Sequence, residues 1–245
     1  MITLDMLYSW EMMRKRRIAA AGGGSTPLTL TALTAGSKVT LNKVGSPPAV
    51  SLEYSTGGAW ATYTIGTEIT LSSAGDYIKF RGDNSKFSTS INDRYRFVMS
   101  GTIAASGNVM SLVDSTMVST TIPCNYCYYA MFFNCTGLTS APALPATTLA
   151  TGCYYYMFQG CTSLTTAPVL PATTLATNCY YEMFNLCTKL SSIEVSFTSW
   201  TQATNQTGLW VTNVASSGTF TKPTALAEEY GTSRIPTGWT VVNKE

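Results

Sequence analysis

The 245-residue chain contains no histidine and carries little charge. Asp, Glu, Lys and Arg make up 11% of it, against about 25% in an average soluble domain. The absence of histidine excludes a Ser-His-Asp or Cys-His nucleophile, an imidazole metal ligand and a histidine general base. The net charge of +2 is too small to indicate a nucleic-acid partner. Hydrophobic residues make up 45% and aromatic residues 11%, so the chain can still form a folded core.

The shortage of charge is concentrated in one stretch. Asp114 is the only charged residue from Phe97 to Tyr181, where Thr, Ser, Ala, Tyr and Cys dominate. A polar but uncharged surface is typical of proteins outside a cell or inside a larger assembly. The few carboxylates in and around this stretch are far apart in sequence and form no motif of the paired kind that a glycosidase needs. We therefore expect no enzyme and no cofactor. The carboxylates considered are Asp93, Asp114, Glu182 and Glu194.

The cysteines mark an internal repeat of 26 residues. Two sets of three recur at this spacing: Cys127, Cys153 and Cys179, and Cys135, Cys161 and Cys187. A Tyr-Tyr-x-Met-Phe run follows the first cysteine of each repeat, and residues 141–151 return as 167–177 with one change. A fixed period of this length predicts a solenoid, in which stacked turns align identical residues in columns. We expect Cys, Met, Phe and Leu to lie inside, and the Tyr-Tyr-x-Met-Phe run to form a short helix or strand edge.

Three interpretations of the thiols remain open. Stacked free thiols, packed as small hydrophobic groups, are favoured. Disulfides within a repeat, such as Cys127 to Cys135, would suit an extracellular protein, although seven cysteines leave at least one unpaired. A zinc site could start from Cys124-x-x-Cys127, but the chain has no second pair of this spacing and no histidine.

The repeat resembles the BspA-like leucine-rich repeats of Bacteroidales and their phages. The resemblance rests on the core C-Y-Y-x-M-F-x-x-C-T-x-L and the spacer A-P-x-L-P-A-T-T-L-A, within residues 98–200. Residues 106–112 resemble the lead-in of such proteins, and residues 217–220 and 235–239 resemble their closing segment. The resemblance implies a surface-exposed binding or adhesion module without an enzymatic site. Only about two and a half repeats are present, so we expect the flanking segments to act as caps.

Six segments before the repeats alternate apolar and polar residues, with Gly, Ser, Pro and Asn between them. This period of two predicts a small antiparallel β-sandwich. One of its turns contains Arg81-Gly82-Asp83, an integrin-type tripeptide, but three residues carry little information and turns favour Gly-Asp in any case. The predicted strands cover residues 28–34, 38–42, 50–54, 68–71, 77–81 and 95–99.

The first 24 residues have an apolar segment, then a basic cluster, then Ala and Gly. A secretory signal has the reverse order, and the apolar part is short and holds Asp5 and Glu11. We therefore expect neither a signal peptide nor a membrane span. A short helix with a flexible linker and a helix that docks into a larger assembly are both compatible with this segment, and a membrane-surface helix is a third possibility. The candidate docking residues are Met6, Trp10, Met13, Arg14 and Arg17.

The expected architecture is mainly β. It comprises an anchor helix and Gly linker (1–24), an antiparallel β-sandwich (25–97), a short leucine-rich-repeat-type solenoid (98–200) and a C-terminal cap (201–245). Because an export signal is not expected, we favour a non-enzymatic phage virion structural protein: a head fibre, capsid decoration or tail appendage at the virion surface. A bacterial cell-surface adhesin is the alternative.

The expected partners are other virion proteins, bound through the N-terminal segment, and a glycan or protein of the host surface or mucosa. We expect a homo-oligomer. Tyrosine suits the recognition role because its ring stacks on sugar faces and its hydroxyl forms hydrogen bonds. One member of each tyrosine pair in the repeats should face inward and one outward. The candidate binding residues are Tyr128, Tyr129, Tyr154, Tyr155, Tyr180 and Tyr181.

Overall fold

The computed structural model describes residues 26–200 and 205–244 and is mainly β. Within these residues the only helix is a short 3-10 helix at Val109–Leu112. The strands are β1 (Leu28–Ala32), β2 (Ser37–Val44), β3 (Glu53–Ser55), β4 (Ala61–Thr62), β5 (Glu68–Leu71), β6 (Tyr77–Arg81), β7 (Arg94–Ser100), β8 (Ile103–Ser106), β9 (Leu138–Ser140), β10 (Ser192–Glu194), β11 (Thr219–Pro223) and β12 (Thr240–Lys244).

Two sheets form the N-terminal half of the described chain. Their strand orders are β5-β2-β7 and β4-β3-β6-β1-β8-β9. The sheets meet at Phe80 and Phe97, whose buried rings have centroids 5.4 Å apart. Each of the six segments expected from the period of two contains or overlaps a strand, and the alternation places apolar and polar side chains on opposite faces. In β6, for example, Ile78 is buried whereas Lys79 is partly exposed.

The larger sheet continues past residue 97, the boundary expected between the first module and the repeats. Strand β7 of the smaller sheet runs to Ser100, and the next strand, β8, joins the larger sheet by pairing antiparallel with β1. Strand β9, which lies within the first repeat, then pairs parallel with β8. The first repeat therefore adds a strand to the N-terminal sheet, and the two parts share one hydrophobic core.

The Tyr-Tyr-x-Met-Phe segments form neither a helix nor a strand, so that expectation was wrong. They are successive turns in which every fourth residue has a positive φ: in the first repeat Tyr126, Ala130 and Asn134 have φ of 55°, 51° and 56°. A helix requires negative φ throughout, so each of these residues ends the local right-handed turn.

Backbone hydrogen bonds join these turns at the repeat spacing. The amide of Tyr128 donates to the carbonyl of Cys153 at 2.9 Å, and the amide of Tyr154 donates to that of Cys179 at 3.1 Å. Alternate residues repeat this pattern, while the amides between them bond within their own turn, as Met131 does to Tyr128. Each turn thus satisfies its buried polar backbone partly through the next turn.

Identical side chains form columns inside the stacked turns. Phe132, Phe158 and Phe184 are buried, with successive ring centroids 5.5 Å and 5.8 Å apart and ring planes within 5° of parallel. The column begins at Phe97 of β7, whose ring lies 5.2 Å from that of Phe132. Tyr128, Tyr154 and Tyr180 form a second buried column, at 5.8 Å and 6.1 Å.

A further turn, residues 205–213, stacks on the third repeat. The amide of Phe184 donates to the carbonyl of Trp210 at 2.9 Å. The buried Trp210 ring covers the ends of both columns, at 6.4 Å from Tyr180 and 6.2 Å from Phe184. Beyond it, β10, β11 and β12 form a parallel sheet at the C-terminal end.

Candidate binding surface on the stacked turns

The structure divides the six tyrosines predicted as binding residues. Tyr128, Tyr154 and Tyr180 are at most 1% exposed and belong to the interior column described above. They have no surface to offer a ligand, so the structure contradicts these three candidates. The physical reason is the stacking itself, which places rings of equal phase against one another. Of their partners, Tyr155 and Tyr181 are partly exposed and Tyr129 is 7% exposed.

The partly exposed tyrosines of successive turns form one continuous group with the nearly buried Tyr129. We define the tyrosine cluster as Tyr126, Tyr129, Tyr155, Tyr156 and Tyr181. The Tyr155 ring lies at its centre, 5.3 Å from Tyr129, 4.4 Å from Tyr156 and 4.6 Å from Tyr181. Tyr126 extends the group, 6.1 Å from Tyr129. The cluster thus spans three turns of the stack.

Two glycines let rings of the cluster lie against the next turn. A Cβ atom added to Gly152 would come within 2.5 Å of the Tyr126 ring, and one added to Gly208 would come within 2.7 Å of the Tyr181 ring. Distances this short require the ring to move. Gly152 also has a φ of 60°, which favours glycine. Glycine at 152 and 208 therefore leaves the space that the Tyr126 and Tyr181 rings occupy.

Two charged groups border the cluster. The guanidinium carbon of Arg94, on β7, lies 5.4 Å from the centroid of the Tyr129 ring, which is a cation–π contact. The carboxylate of Glu182 accepts hydrogen bonds from Gln159 Nε2 at 2.8 Å and Asn185 Nδ2 at 2.7 Å, and Tyr156 OH lies 3.4 Å from it. These three neighbours hold the Glu182 carboxylate in place, although Ala130 and Tyr156 occupy the equivalent position in the other turns.

The cluster is electrically neutral apart from these two groups. Burial raises the pKa of Tyr129, Tyr155 and Tyr156 above the ordinary value of 10.0. The phenols therefore stay protonated at neutral pH and can both donate and accept hydrogen bonds. Rings with hydroxyls of this kind can stack on an apolar ligand face and bond its polar edge.

Sequence reasoning missed Tyr126, Tyr156, Arg94 and the polar group around Glu182. Tyr126 precedes the repeat's first cysteine, and Tyr156 occupies a position held by Ala130 and Glu182 in the other turns. The clue was that tyrosine occurs at these positions once each, outside the repeated motif.

The cysteines lie mainly in the interior as free thiols. Six are buried, and Cys124 is partly exposed. Two of the buried thiols form hydrogen bonds between turns. Cys161 Sγ donates to the Phe132 carbonyl at 3.1 Å, and Cys187 Sγ donates to the Phe158 carbonyl at 3.0 Å. Burial raises the pKa of Cys135 and Cys187 to about 12, so these groups remain protonated donors.

The integrin-type tripeptide is engaged within the protein. Arg81 donates to Glu53 at 2.7 Å and lies 4.2 Å from the centroid of the Trp60 ring. Asp83 accepts hydrogen bonds from the backbone amide and hydroxyl of Ser115 at 2.7 Å and 2.9 Å. Both charged ends already have partners, which counts against recognition by an integrin.

The considered carboxylates also have local partners. Asp114 accepts bonds from the amides of Thr116 and Ser119 at 3.0 Å and 2.8 Å, and Glu194 pairs with Lys244 at 2.8 Å. Asp93 accepts a bond from the amide of Ser46 at 2.7 Å. These contacts explain the carboxylates as groups that hold turns and strand ends together.

The candidate docking residues Met6, Trp10, Met13, Arg14 and Arg17 lie outside the described residues. In the part of the chain that is described, no helix has the length and apolar character needed to cross a membrane.

Comparison of the chain with protein-family models, with curated proteins and with solved structures finds no match.

Proposed function

We propose that this chain is a non-enzymatic binding protein whose tyrosine cluster contacts a glycan or protein on a host or mucosal surface. The observation that carries the proposal is the continuous group of tyrosine rings, all but Tyr129 partly exposed, held on a stack of hydrogen-bonded turns. Tyrosines provide large contact area at low entropic cost, because the ring has only two rotatable bonds. The rigid stack reduces that cost further by holding the rings in place before binding.

The setting we propose for this activity is a phage virion. The repeats would form a short solenoid of the BspA-like leucine-rich type, and the sheets before them an antiparallel sandwich. Residues 1–24 would dock into other virion proteins, as part of a head fibre, capsid decoration or tail appendage. The sequence resemblance and the low charge of the repeats support this setting. A bacterial cell-surface adhesin of the same family is the alternative.

Binding to a mucin-coated surface tests the activity. The variant Tyr155→Ala removes the ring that contacts Tyr129, Tyr156 and Tyr181, and should weaken binding about tenfold, as loss of an interface hot spot does. The matched control is Tyr77→Ala, a partly exposed tyrosine of β6 outside the cluster. Equal binding by wild type and Tyr155→Ala would refute the assignment to this surface. Periodate oxidation of the mucin distinguishes glycan from protein as the target.

Analysis of purified phage particles by mass spectrometry tests the setting. The virion assignment requires the chain in particles that survive density-gradient purification. Its absence from particles, together with its presence on intact bacterial cells, would replace the virion assignment with the adhesin.

A further inference from the structure

The first repeat has a cysteine that the other repeats lack. Cys124 lies three residues before Cys127, at the position that Ala150 and Ala176 occupy in the second and third repeats. It is partly exposed, whereas the other six cysteines are buried. No second pair of cysteines in the chain has this spacing. The interior columns explain the buried thiols, and Cys124 needs a separate explanation.

The backbone brings the two cysteines of this pair close together. In the second repeat the equivalent segment is a β-turn, in which the amide of Cys153 donates to the carbonyl of Ala150 at 3.2 Å. The segment between the two cysteines is also a turn, and Tyr126 there has a φ of 55°, close to the 60° of the equivalent Gly152. The first and fourth α-carbons of a β-turn lie within about 7 Å of each other, and a disulfide spans about 4.4–6.8 Å between α-carbons. The two cysteines, at the first and fourth positions, therefore have the backbone spacing that a disulfide needs.

The two thiols also lie together, beside the buried Ser88. Cys124 Sγ donates to the Ser88 carbonyl at 3.4 Å, and the Ser88 amide donates to the Cys127 carbonyl at 3.1 Å. The Cys127 thiol in turn donates a hydrogen bond to the Cys124 sulfur. A hydrogen bond of this kind places the two sulfur atoms side by side, which is the arrangement from which a disulfide forms.

The pair combines an accessible nucleophile with a buried partner. The hydrogen bond from Cys127 lowers the pKa of Cys124 to about 7, and the positive charge of Lys86 acts in the same direction. Burial raises the pKa of Cys127 well above 9.0. At pH 7.5 Cys124 is therefore largely thiolate, the form that attacks disulfides, whereas Cys127 keeps its proton. Redox-active cysteines often have this arrangement, in which an accessible thiol of low pKa lies next to a second, resolving cysteine.

We propose that Cys124 and Cys127 form a redox-active pair that exchanges with low-molecular-weight disulfides such as glutathione disulfide. The Cys124 thiolate attacks one sulfur of the external disulfide, so that a mixed disulfide forms and the first glutathione thiolate leaves and takes a proton from solvent. Cys127 Sγ then attacks Cys124 Sγ, and the second glutathione leaves with the Cys127 proton. Two protein thiols are thereby oxidised to one disulfide, and one external disulfide is reduced to two thiols. The exchange requires no ligand on the tyrosine cluster.

Incubation with glutathione disulfide tests the pair directly. The full-length, fully reduced protein is treated at pH 7.5, quenched with acid and alkylated in denaturant, and its thiols are located by peptide mass spectrometry. Wild type should lose two of its seven thiols, form a Cys124–Cys127 disulfide, and regain both thiols with dithiothreitol. Cys127→Ser should stop at one glutathione bound to Cys124, and Cys124→Ser should keep all its remaining thiols. Cys153→Ala is the matched control, since it removes a buried thiol outside the pair and should still form the disulfide.

The location of the oxidised thiols decides between this pair and its alternatives. Wild type that retains seven free thiols, or that stays as a stable mixed disulfide at Cys124, would overturn the proposal. A disulfide from Cys127 to Cys135 or Cys153, in place of the one to Cys124, would overturn it as well. Wild-type mapping alone decides the question if Cys127→Ser loses its fold in far-UV circular dichroism.

Discussion

Raising the pH above 9 should destabilise this protein steeply, because six of its thiols are buried. Burial raises the pKa of Cys135, Cys179 and Cys187 from the ordinary 9.0 to about 12, and it also raises the pKa of Cys127, Cys153 and Cys161 well above 9.0. Since the folded pKa exceeds the unfolded one, the stability that each thiol supports is complete below pH 9. It is then lost progressively as the pH rises towards 12.

The size of the effect follows from the shift. At pH 10 the unfolded thiols of Cys135, Cys179 and Cys187 are largely ionised while their folded counterparts are not, which favours unfolding by roughly 1 kcal/mol for each. Cys135, Cys179 and Cys187 together account for roughly 3–4 kcal/mol. Burial of the other three thiols acts in the same direction. This loss is a large fraction of the stability of a typical domain, about 5–15 kcal/mol.

Urea unfolding followed by far-UV circular dichroism, in a reducing buffer from pH 7.5 to 10.5, measures this loss. The variant Cys161→Ala removes one buried titrating group, so its free energy of unfolding should fall less steeply with pH. Cys124→Ala is the matched control, because that thiol is partly exposed. A free energy of unfolding that stays constant between pH 8 and pH 10 would refute the reasoning.

Three further changes test individual contacts. Tyr154→Phe should raise the free energy of unfolding, measured by urea denaturation, by about 1 kcal/mol, because the buried Tyr154 hydroxyl has no partner among the described residues. Tyr128→Phe should not show this gain, because the Tyr128 hydroxyl bonds the Val109 carbonyl at 3.4 Å. Leu186→Asn should raise Tm, since Leu186 has a φ of 64° and is 43% exposed, and left-handed backbone costs leucine about 1 kcal/mol or more; a lower Tm would contradict this. A hydrogen bond from Cys127 lowers the pKa of Cys124 to about 7. Iodoacetamide at pH 7.5 should therefore label only Cys124 in the native chain, which mass spectrometry can show; equal labelling of Cys153 would contradict the burial pattern.

The parts of the fold that depend on periodicity were predictable from the sequence. A period of two identified six strands because a strand with one buried face must alternate. The 26-residue period identified the interior columns because stacked turns bury residues of equal phase, as Phe132 and Phe158 do. Both predictions use only the spacing of apolar residues, which packing imposes directly.

The left-handed backbone conformation of the turns and the existence of a fourth turn could not be predicted from the sequence. Nothing in the residue types at Tyr126 and Ala130 indicates a positive φ, so the turns were mistaken for a helix or strand edge. The fourth turn was missed because it lacks the repeated Cys, Tyr, Met and Phe: Trp210 there accepts the hydrogen bond from Phe184 as Met183 accepts that from Phe158. Both the positive φ values and the fourth turn depend on contacts between turns. In the fourth turn, for example, the large Trp210 ring covers the ends of the tyrosine and phenylalanine columns.

The left-handed positions explain how a repetitive core can carry a surface that is not repetitive. The equivalent residues Ala130, Tyr156, Glu182 and Leu209 all have a positive φ between 47° and 59°, yet they share no chemistry. The backbone conformation is set by hydrogen bonds to the neighbouring turn, so the side chain there can change without disturbing the columns. Tyr156 and Glu182 occupy two of these positions and both belong to the candidate surface. Specificity for a ligand is therefore expected to vary at these positions, while the buried Cys, Met and Phe keep the stack that presents them.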